Sequence, residues 1–269
     1  MKEQYLEELK KELEEKGVSN KDAIVEKYQK RYDFGIEAGL SDNEIIEMLG
    51  NPKDIASRYQ KIEDIAEEEG KENAGYNLSI RTAVDDINIY YRDVDKVHLY
   101  FDGINLADYQ VENNTKTGIL ISRRGSEGGL RVLKNGGKIT VEIPLNRVFD
   151  KVSIWTASGD HNIEKLKAKS ISISAVSGDF DGDYFEAENI SFSTVSGDID
   201  VKKIKASKLN LNTVSGDVDI DEVDAPKVNV TTVSGDINIK KCDGNVNAAV
   251  VSGDVVVNNK RYNRLDRIF

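Results

Sequence analysis

Two periods of hydrophobic spacing divide the chain. Through residues 2 to about 66, apolar side chains recur every three or four positions, the spacing of one face of an α-helix. Leu6, Leu9 and Leu13 mark a first helix that Gly17 closes. Ser19 and Asp22 open a second helix in the manner of a capping box, and Ile24, Tyr28, Tyr32 and Ile36 form an i, i+4 stripe predicted to face a core. Ser41 and Glu44 start a third helix bearing Ile45, Ile46 and Leu49, Gly50 stops it, and Pro52 occupies the first turn of a fourth. The prediction is a helical domain over 1–66, a bundle of four short helices that is only marginally stable unless it docks on something. Residues 67–75, "EEEGKENAG", lose the period and read as a linker.

From Tyr76 onward the period is two. "LSIRTAVDDINIYY", "KVHLYF", "GILIS" and "KITVEIP" are strand-like runs separated by Gly, Asn and Asp clusters. They assign residues 76–150 to an N-terminal cap and irregular strands of a β domain. Beyond about Val152 the register locks. Ser158, Ser177, Ser196, Ser215, Ser234 and Ser252 each begin Ser-Gly-Asp, at intervals of 19, 19, 19, 19 and 18 residues. Aligned on that triplet, Val152, Ile171, Ile190, Leu209, Val228 and Val246 form one apolar column, and Ile154, Ile173, Phe192, Leu211, Val230 and Ala248 a second. A third holds His161, Phe180, Ile199, Val218, Ile237 and Val255. Leu166, Phe185, Ile204, Val223 and Cys242 make a fourth, followed two residues on by Ala168, Ala187, Ala206, Ala225 and Gly244.

Units that fill the same slots with the same chemistry stack on one another, because a single unit cannot bury its own apolar face. The fold class predicted is therefore mainly β with an α-helical N-terminal domain. Residues 151–258 form a parallel β-solenoid of about 19-residue coils, and 259–269 a C-terminal cap. Ser-Gly-Asp turns the same corner on every coil, with Gly supplying positive φ and Ser and Asp bonding exposed backbone N–H groups. An antiparallel meander competes, since Gly-Asp also suits a two-residue hairpin. The once-per-unit Ala/Gly column favours the solenoid, as a tight bend stacked on itself.

Composition narrows the chemistry. A net charge of -11 and a pI near 4.9 disfavour direct nucleic-acid binding, which needs a basic surface. The start "MKEQYLEELKKELEEKG" lacks the apolar core of a secretory signal, and no run approaches the roughly 20 apolar residues of a membrane span. With one cysteine, Cys242, no internal disulfide can form, and the expected compartment is the cytoplasm.

The ladder Asp160, Asp179, Asp198, Asp217, Asp236 and Asp254, helped by Asp181, Asp200 and Asp219, is the one candidate cation site. Its regularity and the absence of the Gly-rich calcium repeat read instead as a structural corner. Cys242 lies in an inward column and reads as a buried thiol. His161 stands on the first regular rung, where the stack is expected to be partly open, and His98 in an alternating strand. Two separated His and one Cys make no zinc set. "GGKIT" at 136–140 lacks the spacing of a phosphate loop and reads as a turn entering a strand. In the tail "KRYNRLDRIF", Tyr262, Leu265 and Ile268 are spaced for one helical face; the tail reads as a cap, with weak membrane-surface contact as the alternative.

Residues 1 to about 60, through "YLEELKKEL", "YDFGIEAGLSDNEII" and above all "MLGNPKDIA" at 48–56, resemble the HAAS-type helical signalling domain of Firmicute-like bacteria. From about residue 76, "ITVEIP" at 139–144 and the Ser-Gly-Asp units resemble the adhesin-like, toastrack-type β-repeat domain. The resemblance implies bacterial envelope-stress signalling with a PadR-like transcription regulator as protein partner, and it carries over no catalytic residue.

The reading is a non-enzymatic regulatory or scaffold protein whose helical domain binds a protein and whose solenoid is a rigid interaction surface. The alternatives are a surface adhesin or envelope-binding protein and, behind it, a carbohydrate-active β-helix enzyme. No catalytic residue, metal ligand or cofactor is expected, binding residues are unassigned, and homo-oligomerisation is left open.

Overall fold

In the computed structural model, which describes residues 1–16, 21–37, 39–57, 75–114, 117–124 and 136–262, four helices precede a stack of strands. The helices are α1 (Lys2–Glu15), α2 (Lys21–Glu37), α3 (Asp42–Leu49) and α4 (Pro52–Ser57). Their core joins Tyr5, Leu9 and Leu13 to Ile24, Tyr28, Tyr32, Ile45, Ile55 and Ala56. The capping box opening α3 is present: the Glu44 N–H donates to Ser41 Oγ at 3.5 Å, and the Ser41 N–H donates to Glu44 Oε2 at 2.9 Å. Gly50 ends that helix at φ +88°. Gly17 and Ser19 lie outside the described residues, and Asp22 pairs with Lys10 at 2.9 Å.

The predicted stripe on α2 holds for Ile24, Tyr28 and Tyr32 but fails at Ile36, which is 50% exposed. Each i+4 step overshoots a full turn by about 40°, so three steps rotate the last position by about 120°. Gly35 takes the place against α3 instead, where an added Cβ would lie 2.7 Å from Ile45.

The β region contains β1 (Asn77–Arg81), β2 (Asp86–Arg92), β3 (His98–Asp102), β4 (Tyr109–Asn114), β5 (Gly118–Arg123), β6 (Lys138–Pro144) and β7 (Phe149–Ser158). Three 17-residue strands follow, β8 (His161–Ser177), β9 (Phe180–Ser196) and β10 (Ile199–Ser215). The last are β11 (Val218–Asp224), β12 (Lys227–Ser234), β13 (Ile237–Cys242), β14 (Asn245–Ser252), β15 (Val255–Val257) and β16 (Lys260–Tyr262).

Every pairing between successive coils is parallel and offset by one repeat, as in Ile199 with Phe180, Leu209 with Ile190 and Leu211 with Phe192. The meander is thereby excluded, and residues from β7 onward wind as a parallel β-solenoid. Each coil contributes a trailing segment before its Ser-Gly-Asp and a leading segment after it. These segments stack into two sheets, here the trailing and the leading sheet, enclosing the predicted columns in one continuous core. The 18-residue interval loses its residue in a turn: Val223 pairs with Cys242, 19 positions on, whereas Lys227 pairs with Asn245, 18 on. Strand register survives because the deletion avoids the strands.

Residues 76–150 both close the stack and lengthen it. β1 pairs with β7 and β2 with β8, so β1 and β2 form a complete rung beneath the first regular one. β5 pairs with β1 and β6 with β2, adding another rung outside it. Rung order along the axis thus departs from chain order. The antiparallel strands β4 on β5 and β3 on β6 finish this end.

β3 has two apolar faces. Leu99 and Phe101 join the solenoid core, while Tyr100 joins the helical core. Lys27 of α2 forms an ion pair with Asp102 at the end of β3. The small bundle is therefore docked on the β domain, as its limited core requires.

At the far end, β16 folds back antiparallel on β15 through Asn258 and Asn259, both at positive φ as a tight hairpin turn demands. The tail up to Tyr262 is thus a strand, where a helix was expected. Hairpin pairing to the edge of β15 holds Lys260–Tyr262 as a strand. Leu265 and Ile268 lie outside the described residues.

The corner itself dictates glycine. The six Ser-Gly-Asp glycines have φ between +123° and +147°, and a Cβ on Gly216 would lie 2.2 Å from the carbonyl oxygen of Gly197. Gly216→Ala should therefore destabilise the chain by about 3 kcal/mol or more, combining backbone strain with a clash against immobile backbone. Urea unfolding of the variant beside the parent measures this, and a loss below about 1 kcal/mol would contradict the close stacking.

Candidate functional site

The aspartate ladder is built by the backbone it serves. On each rung the Asp N–H donates to the Asp carboxylate of the rung before: Asp179 to Asp160 at 3.0 Å, Asp198 to Asp179 at 3.0 Å, Asp217 to Asp198 at 2.8 Å, Asp236 to Asp217 at 2.7 Å and Asp254 to Asp236 at 2.8 Å. The main chain adds a second ladder, with the next residue's N–H donating to the following Asp carbonyl, as Ile199 does to Asp217 at 2.9 Å. Stacked carboxylates about 4.8 Å apart repel by about 0.9 kcal/mol per pair in water. One charge-assisted hydrogen bond is worth about 1.5–3 kcal/mol, so the corner holds its charges without a cation.

The ladder starts earlier than the triplets do. Asp160 N–H donates to Asp86 Oδ1 at 3.1 Å, so Asp85-Asp86 occupies the corner of the β1–β2 rung. Asp85 is buried and accepts from the hydroxyls of Thr82 and Tyr109 and from the Gly137 N–H at 2.8 Å. Burial, then the bond to Asp85, pushes the Tyr109 hydroxyl up to about 12. "TAVDD" at 82–86 matches "TASGD" at 156–160, a signal that lacks only the Ser and Gly. Gly136 and Gly137 precede β6, where the sequence placed a turn entering a strand.

The remaining second-row carboxylates lie on the outer surface of the leading sheet. Asn238 donates to Asp219 at 2.8 Å, Lys202 pairs with Asp183 at 2.7 Å, and Lys240 with Asp221 at 2.5 Å. Burial, followed by the charges of Asp200, Asp179 and Asp160, raises the Asp181 carboxyl above the ordinary range. Among the described residues no three His, Cys, Asp or Glu side chains are grouped to hold a metal ion.

His161, His98 and Cys242 are not brought together. His161 was expected at a partly open end; the rung formed by β1 and β2 covers it, pairing it with Ile87 on one side and Phe180 on the other. It is 1% exposed, neither ring nitrogen has a hydrogen-bond partner, and burial lowers its pKa to about 4. His98 Nδ1 lies 3.7 Å from Glu142 Oε2, which also accepts from the Tyr100 hydroxyl at 3.0 Å. Cys242, the last residue of β13, is buried, and burial pushes its thiol up, away from thiolate reactivity.

Two surface features could serve binding. Where the Ala column bends the coil, a groove of about 490 Å³ has Ala168, Ala187 and Ala206 as its floor and Lys167, Glu186 and Lys205 among its walls. On the helical unit Phe34, Ile36 and Met48 are 72%, 50% and 75% exposed. The sequence placed Ile36 in the core and assigned no role to Phe34 or Met48.

Geometry of this kind defines a mainly β protein organised as a parallel solenoid with a docked helical unit. Residues 76–265 match the family described as Toastrack DUF4097, and the chain belongs to that family. Among solved structures it is similar to a Bacteroides fragilis protein described as a "putative adhesin", at 14% identity and a TM-score of 0.40, over 69% of this chain and 92% of that one. No curated protein sequence matches the chain.

Substitutions at Asp217 and His161 test the structural roles assigned to them. Asp217→Ala removes the acceptor of the Asp236 N–H and should destabilise by about 1–2 kcal/mol, whereas Asp217→Asn keeps an acceptor oxygen and should lose less than half of that. Urea unfolding gives both values, and equal losses would show that the ladder bond is not what the carboxylate supplies. For His161 the folded pKa lies below the unfolded value near 6.5. The unfolded chain therefore takes up the proton first, and stability is complete above about pH 6.5 and falls as pH drops toward 4. The parent should lose about 2 kcal/mol between pH 7 and pH 5 through this group. His161→Ile should abolish that part of the pH dependence in denaturant melts at the two pH values.

Proposed function

We propose that the chain is a non-enzymatic interaction scaffold whose helical unit captures a protein partner while the solenoid holds it on a rigid, regular support. One observation carries this reading. The helical core is closed by Tyr100 of β3, yet Phe34, Ile36 and Met48 still present large apolar side chains to solvent. Side chains of this size on a unit whose own packing needs are met suit a protein contact.

The resemblance of residues 1–60 to the HAAS-type domain supports a finer form of the reading. In it the partner is a PadR-like transcription regulator, the process is bacterial envelope-stress signalling, and the compartment is the cytoplasm. A second reading, a surface adhesin or envelope-binding protein, is favoured by the groove, whose lining by Lys167, Glu186 and Lys205 spans three successive coils and suits an extended charged ligand.

The tagged full-length chain, used as bait in native bacterial lysate, should retain a transcription regulator identified by mass spectrometry. Phe34→Glu/Met48→Glu should reduce its recovery at least tenfold, about 1.4 kcal/mol, with the thermal melt unchanged. Recovery that the double variant leaves undiminished sinks the main reading. Location of all the protein in the cytosolic fraction removes the adhesin reading.

A further inference from the structure

We propose that the outer face of the trailing sheet is a self-association surface on which a second copy of this chain docks, its strands aligned and its solenoid axis reversed. Three outward columns run along that sheet over six rungs, β7 to β14. The first is Ser153, Ser172, Ser191, Asn210, Asn229 and Asn247. The second is Trp155, Ser174, Ser193, Asn212, Thr231 and Ala249. The third is Ala157, Val176, Val195, Val214, Val233 and Val251, whose five valines are 45–54% exposed.

None of these 18 positions is charged, in a chain where 32% of residues are. Two copies that each carry a net charge of -11 repel, and a neutral face minimises that repulsion where they meet. The valine column supplies apolar area. Six rungs about 4.8 Å apart and three outward columns about 6.8 Å apart give roughly 600 Å² per copy, about 1,200 Å² for the pair, the lower end of the range for a specific interface.

The order of residues within the columns selects the orientation. A two-fold axis along the strands, between the third and fourth rungs, sets each rung against its opposite number counted from the far end, as an isologous contact requires. Trp155, the largest side chain on these six rungs, its ring flanked by the Arg81 guanidinium of β1 at 4.9 Å, then meets Ala249 of the second copy, one of the smallest. Every Ser of the first column meets an Asn: Ser153 with Asn247, Ser172 with Asn229 and Ser191 with Asn210. Val176 meets Val233 and Val195 meets Val214. On the adjoining margin Lys151, Lys208 and Lys227 meet Asn245, Asn189 and Ser170, so no two lysines oppose. Small residues gather at one end of each polar column and larger ones at the other, with Trp155 inverted against its neighbours, and only the reversed pairing turns that gradient into complementary shape.

The surface is separate from the exposed side chains of the helical unit, so its test is independent of the partner that unit takes. Sedimentation velocity on the full chain from about 1 to about 500 µM should show a monomer–dimer equilibrium, strengthened by salt because like net charge is screened. Val195→Asp/Val214→Asp should weaken it at least tenfold with the thermal melt unchanged. Ala249→Trp, which sets two tryptophans against each other, should also weaken it, and Trp155→Ala/Ala249→Trp should restore it. Monomer at every concentration overturns the proposal, as does a dimer indifferent to the valine substitutions. A folded tryptophan swap that stays monomeric overturns the reversed orientation.

Discussion

The whole β domain depends on one contact, the glycine of each corner lying against the carbonyl of the corner before, which is a glycine from Gly178 onward and Asp85 beneath Gly159. At 2.2 Å from a would-be Cβ, that contact leaves room for hydrogen alone and holds successive corners at the spacing of hydrogen-bonded strands. The aspartate next in sequence then accepts the backbone N–H of the following Asp, and the strands leave every corner in the same direction and register. Side chains two residues apart consequently repeat on the same face coil after coil, which merges the apolar columns into one core. Corner geometry thus comes first and the sheets follow from it.

This causal order explains what the sequence made legible. Residues 151–258 could be read because a stacked corner imposes identical demands at a fixed interval, and the columns through Val152 and Ile154 align without ambiguity. The β1–β2 rung was harder to see. Asp85 stands in place of glycine and is accommodated by bonds from Thr82, Tyr109 and Gly137, partners drawn from segments 3, 24 and 52 residues away. No local period can announce a corner completed by distant residues. The same limit applies to rung order, since the excursion through β3, β4 and β5 places β6 outside β2, a pairing visible only in three dimensions. Of the candidate chemistry, the burial of Cys242 was legible from its column, whereas the cover over His161 depended on recognising that hidden rung.

The helical unit shows how a marginal core is completed by another domain. Strand β3 alternates its side chains between two cores, Leu99 and Phe101 inward and Tyr100 toward the helices. Lys27 and Asp102 flank the junction. Loosening the helices would therefore uncover Tyr100 at the edge of the β domain, and the stability of the two units is linked through a single strand. The exposure of Ile36 follows from the same geometry, because a straight helix that commits Ile24, Tyr28 and Tyr32 to the bundle rotates the next stripe position away from it.

Stacking also imposes an electrostatic rule, and the surface obeys it in two ways. Any charged residue repeated at one slot faces its own kind about 4.8 Å away. Along the bend beside the Ala column the sign alternates instead: Lys167 and Lys205 flank Glu186 at 2.8 and 3.6 Å, and Lys203 and Lys241 flank Glu222 at 3.0 and 3.5 Å. These exposed pairs each contribute little, but they remove a repulsion that would otherwise accumulate along the stack. At the Ser-Gly-Asp corner the sign cannot alternate, because only an acceptor satisfies the N–H of the next rung. Like charge is tolerated there because each carboxylate receives that N–H. Alternation beside the Ala column and repetition at the corner, where the backbone donates a bond, are two outcomes of the same balance between Coulomb repulsion and hydrogen bonding; where Asp181, Asp200 and Asp219 repeat on the leading sheet, burial and the neighbouring charge raise the Asp181 carboxyl instead.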